Sequence, residues 1–77
     1  MIDPRILEIA NRELTVAQLE VLGYVLDGWS QRRIAYHLDL SRTTVTDRID
    51  AAFRTLRRHG IMVTPDGRPY LAEQELA

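Results

Sequence analysis

SQRRIAYHLDLSRTTVTDRID, residues 30–50, is the stretch from which the rest of the chain is read. Ser30 is a good helix N-cap, and Ile34, Ala35 and Leu38 follow at the spacing that gathers apolar groups on one helix face. This predicts a helix of about two turns with Arg32, Arg33 and Tyr36 pointing outward. Asp39 and Leu40 interrupt it, and Ser41 at once caps another helix. So short a connection forces two helices to cross steeply, which predicts a helix-turn-helix. Asp39 stands where such a turn usually has glycine, and aspartate adopts the left-handed conformation at modest cost.

Downstream, Val45, Ile49, Ala52, Phe53 and Leu56 share one stripe of a helix expected over 42–58. Gly60 should stop it, with Ile61 touching Leu56 in a Schellman-type end. The opposite stripe is Arg42, Thr43, Thr46, Asp47, Asp50 and Arg54. Upstream, Thr15 and Gln18 have the spacing of a capping box, and Leu14 can staple onto Leu19. A helix over 15–27 is expected, ended by Asp27-Gly28. Asp3-Pro4 should open a shorter helix over 4–11. Beyond Gly60, residues 61–63 read as extended and 64–67 as a tight turn, while Pro69 should blunt any returning strand. A hairpin and a flexible tail both fit 61–77, and 70–77 read either as a final helical turn or as a frayed end. The expected fold is all-α and forms one domain over 1–77. A compact tri-helical helix-turn-helix core spans 14–60, with an N-terminal helical extension at 1–13 and a C-terminal hairpin or tail.

A chain of 77 residues, 45% of them hydrophobic, has material for one compact core. It has no cysteine, two histidines and only two serines, with no clustered acid and base. No catalytic residue, metal ligand or cofactor is therefore expected. His37 and His59 read as ordinary helix residues. There is no leader-like start and no apolar run of the roughly 20 residues a bilayer requires. A cytoplasmic protein with no membrane partner is expected. The net charge of −1 argues against a protein that merely coats nucleic acid. Its distribution says more: residues 1–27 carry −3, residues 28–60 carry +4 and residues 61–77 carry −2. All ten basic residues are arginine, a side chain suited to bidentate contacts with phosphate or guanine.

The major groove of B-form DNA accepts one helix, held there by a neighbour lying across the phosphate backbone. The two helices of 30–58 supply both parts, with Ala35 as the small residue at their approach and Val45 as the buried contact. Arg42, Thr43, Thr46 and Asp47, in the first turns of the second helix, are assigned to base edges. Arg42 suits guanine, and Asp47 suits the amino group of cytosine. Ser30, Arg32, Arg33, Thr44 and Arg54 are assigned to phosphates. Plainer readings stand beside these. Asp50 and Arg54, four residues apart, read more simply as a pair along the helix. Arg57 and Arg58 suit the helix dipole as well as DNA, and Trp29 reads as a core or lid residue rather than a platform for a base.

Residues 14–49, LTVAQLEVLGYVLDGWSQRRIAYHLDLSRTTVTDRI, resemble the LuxR/GerE-type helix-turn-helix, which is similar to region four of bacterial sigma factors. The resemblance rests on Leu14-Thr15, Glu20-Val21-Leu22, Gly28, Ser30, Ile34-Ala35, Leu38, Ser41 and Thr44-Val45. Thr46 stands where the family often has lysine. Arg48 stands where LuxR-type domains usually have histidine and sigma region four commonly has arginine. Residues after Leu56 do not resemble the fourth helix through which LuxR-type domains often dimerise. The resemblance implies a transcriptional regulator reading double-stranded DNA. A homodimer is expected, because one recognition helix gives limited affinity. The alternative is a sigma-region-four-like interaction module that binds RNA polymerase or another regulator, and the acidic flanks with Asp47 and Asp50 keep it open.

Overall fold

The protein is described here by a computed structural model, in which residues 2–72 are described. Its elements are α1 (Pro4–Glu13), α2 (Val16–Leu26), α3 (Gln31–Leu38), α4 (Arg42–Arg58), β1 (Ile61–Val63) and β2 (Pro69–Leu71). Each of the helices α1 to α4 begins at a side-chain cap that the sequence supplies. The Asp3 carboxylate accepts from the Arg5 N–H, and the Ser30 and Ser41 hydroxyls accept from the N–H groups of Arg33 and Thr44. Thr15 and Gln18 close a reciprocal capping box, each side chain bonding the other's backbone N–H. Each cap satisfies one of the donors that a helix N-terminus leaves without an internal partner.

The helix ends are also local. At the end of α2, Gly28 has φ 86° and donates to the Val25 carbonyl, while Trp29 donates to that of Tyr24. Those are the two bonds of a Schellman motif. The end of α3 repeats the pattern with Asp39 at φ 55°: Asp39 donates to Tyr36, and Leu40 donates to Ala35. The left-handed aspartate expected in the turn is present. At the end of α4 Gly60 reverses at φ 80° and donates to Arg57, and Ile61 is buried in the same apolar cluster as Leu56, in keeping with the expected touch. The second backbone bond of a Schellman motif, from Ile61 to Leu56, is not made among the described residues; Ile61 opens β1 opposite Leu71.

The C-terminal segment is a hairpin, with Ile61 facing Leu71, Met62 facing Tyr70 and Val63 facing Pro69. Pro69 does not prevent the returning strand because it occupies the first position of β2, where a missing N–H is tolerated. Tyr70 and Leu71 are therefore strand residues; the rest of the helical or frayed end expected there, residues 73–77, lies outside the described residues. The helix expected over 4–11 runs two residues further, to Glu13, and Leu14 then turns inward at 7% exposure.

Two apolar clusters share α2 and α4 between them. One joins Ile6, Ala10, Leu14, Leu22, Ala52, Leu56, Ile61 and Leu71. The other joins Val21, Ile34, Ala35, Val45 and Ile49. Neighbouring α2 residues, Val21 and Leu22, serve different clusters, and Phe53 of α4 packs against both. The consequence lies in α4. Its second half is clamped among α1, α2 and the hairpin, whereas its first half is held by α2 and α3 and keeps an open side.

Candidate nucleic-acid interface

The open side of α4 begins at its N-terminus. Arg42, Thr43 and Asp47 are exposed there, and Val45 on the other side of the same turns is fully buried. Ser41 both caps α4 and donates its hydroxyl hydrogen to Thr44 Oγ1 at 2.8 Å. Thr44 is half-buried, and its hydroxyl oxygen is held by that bond. Thr46 differs from its neighbours. It is half-buried and donates to Gln31 Oε1 at 2.8 Å, across the seam between α3 and α4. Its hydroxyl hydrogen is engaged, which leaves the oxygen only its role as an acceptor.

Apart from Thr44, the residues assigned to phosphates divide into two groups. Ser30, Arg32 and Arg33 gather on the first turn of α3, where the Ser30 hydroxyl is occupied by the Arg33 N–H at 3.1 Å. Arg32 is exposed, while the Arg33 guanidinium lies 3.7 Å from the centre of the Trp29 ring. Arg54 stands apart, about 18 Å along the α4 axis from Arg42. That separation exceeds the ~12 Å width of a major groove, so Arg54 can meet only the far wall from a helix lying in it.

Most arginines on this face lack an acidic partner. Among the described residues, none of Arg32, Arg42, Arg48, Arg54 and Arg57 forms an ion pair with a carboxylate. The pair expected between Asp50 and Arg54 is absent too, because two exposed side chains gain too little in water to be held in one geometry. Of the last-turn arginines, Arg58 donates to Thr55 Oγ1 at 3.1 Å. Trp29 packs as a half-buried lid on the second cluster, its ring centroid 4.5 Å from that of Tyr24. His37 makes T-shaped contacts with both rings, and Tyr36, by contrast, is 91% exposed.

Gln31 is the interface residue that sequence reasoning missed. Polar residues just after a cap are commonplace, and its partner Thr46 lies fifteen positions later on another helix. Only the crossing of α3 and α4 brings the two together. No group of His, Asp and Glu among the described residues is placed to hold a metal, and no helix there is long and apolar enough to cross a membrane.

A short helix crossed by a longer one, joined through a left-handed turn residue and leaving a guanidinium-bearing face open, defines the protein as a helix-turn-helix module. The family model for bacterial regulatory proteins of the luxR family matches residues 8–64, from the middle of α1 to the hairpin turn. The chain belongs to this family of DNA-binding transcriptional regulators. No curated protein matches it, and no solved structure does.

Proposed function

We propose that the chain is a sequence-specific regulator that lays the first half of α4 in the major groove of double-stranded DNA. Arg42, Thr43, Thr46 and Asp47 meet base edges, and Ser30, Arg32, Arg33, Thr44 and Arg54 meet phosphates on either side. The observation that supports this best is the division of α4: its C-terminal half is enclosed by α1 and the hairpin, and its N-terminal half carries exposed Arg42, Thr43 and Asp47. The unpaired arginines add long-range attraction to a polyanion. Two copies on a two-fold site would supply affinity that one recognition helix lacks. A protein acting on cellular DNA in this way works in the cytoplasm.

Selection of bound sites from a random duplex library tests the proposal. Enrichment of one motif, repeated in inverted orientation at about one helical turn for a dimer, supports it. A library recovered without any motif contradicts it. The second reading, in which this face binds RNA polymerase, draws on one observation: the Asp47 and Asp50 carboxylates are exposed and unpaired on the same stripe. It requires polymerase capture by a protein that leaves duplex DNA unbound at low salt.

A further inference from the structure

Of the four arginines assigned to DNA, Arg32, Arg33, Arg42 and Arg54, only Arg33 is held in place by the protein itself, among the described residues. Its guanidinium carbon sits 3.7 Å from the centre of the Trp29 ring, and that ring packs against two others. Tyr24 on α2 lies against it at 4.5 Å with the planes tilted 37°. His37, one turn beyond Arg33 on α3, meets it in a T-shaped contact at 5.1 Å. The Trp29 backbone N–H is tied to the Tyr24 carbonyl at 3.0 Å in the motif that ends α2. That bond fixes the main chain from which the indole projects, and the two neighbouring rings hold the side chain.

Stacking on a ring face uses the flat side of a guanidinium and leaves the N–H donors at its rim available. No carboxylate claims them among the described residues. A free arginine loses considerable rotamer freedom when a ligand immobilises it, and one already stacked has lost part of that freedom before the ligand arrives.

We propose that Trp29 is a positioning residue that pre-orders Arg33 as a clamp on one backbone phosphate of the duplex, beside the start of α3. The proposal rests on the DNA-binding reading above and deepens it. Trp29 touches no nucleotide; it acts through Arg33.

A double-mutant cycle on the full chain tests it, using a short fluorescent duplex titrated at several salt concentrations, with folding of each variant checked by thermal melting. Arg33→Ala should weaken binding and make the plot of log affinity against log salt shallower by about 0.9, the contribution of one phosphate contact. Trp29→Ala should weaken binding about two- to fivefold, as expected for an exposed cation–π contact, and leave the slope unchanged. Trp29→Phe, which keeps a ring face, should recover most of that loss. In the Arg33→Ala background, Trp29→Ala should cost nothing further. Equal losses with and without Arg33, or an unchanged slope on removing Arg33, would overturn the proposal while leaving wild-type DNA binding intact. A wild-type protein that ignores the duplex at low salt would overturn the DNA-binding reading and this proposal together.

Discussion

Arg42 and Arg33 differ in what surrounds them, and this sets what each can do. Arg42 projects from the first turn of α4 with no protein partner among the described residues, which leaves it free to read a base edge in bidentate fashion. Arg42→Ala should relax preference at one base position, removing about 1–3 kcal/mol of discrimination in a selection experiment. Arg33→Ala should instead weaken all sequences about equally. A uniform loss from the first and a changed motif from the second would mean that α4 docks differently. Asp39 illustrates cost at the same scale. It holds φ 55°, which glycine adopts without steric penalty, so Asp39→Gly should leave stability unchanged or raise it by up to about 1 kcal/mol. Asp39→Val should lower it, as denaturant titration will read. The roles of Ser30, Ser41 and Asp39 were legible in sequence because each acts on its own backbone within a few residues. The Thr46–Gln31 bond was not, since it depends on how α3 and α4 face one another; nor was the place of Arg33 over Trp29, because the ring's position is set by its packing on Tyr24 of α2.

At the scale of elements, the caps carry the local argument. Ser41→Ala removes the oxygen that accepts from the Thr44 N–H at 3.0 Å, and should cost about 1 kcal/mol. In a chain of this size that corresponds to a melting temperature lower by about 4–8 °C. The α1 cap depends on pH. Hydrogen bonds from the Arg5 side chain and backbone hold the Asp3 carboxyl below its ordinary range. A carboxyl lowered on folding stabilises the folded state above its unfolded value, and that contribution is lost as pH falls through the folded one. The start of α1 should therefore loosen first in acid below the ordinary carboxylate range, seen as early loss of hydrogen-exchange protection there. An Asp3→Asn variant should lose that dependence. Helix starts could be placed within one residue from the sequence, because caps are local chemistry. The hairpin could not be told from a tail: its strands are three residues each, and what keeps them paired is the burial of Ile61 and Leu71 against helices far away in sequence.

The whole molecule is organised so that one half of α4 is immobilised and the other is offered outward. Ile61 is fully buried although it lies beyond the helix-turn-helix, so the hairpin is part of the core that holds α4. Ile61→Ala should cost about 2–5 kcal/mol, the range for emptying a large aliphatic site, and thermal melting should show it. A loss below about 1 kcal/mol would mean the hairpin is an appendage. Charge follows the same division, with +4 over residues 28–60 between two acidic flanks. That pattern was legible from the sequence, whereas the packing of α1 and the hairpin against α4 required the assembled core. The most direct test of an outward-facing, DNA-reading α4 is the affinity of the intact protein for duplex DNA across a salt series. Log affinity should fall linearly with log salt, by about 0.9 for each phosphate neutralised. Affinity independent of salt, or no binding at the lowest salt, would contradict the account.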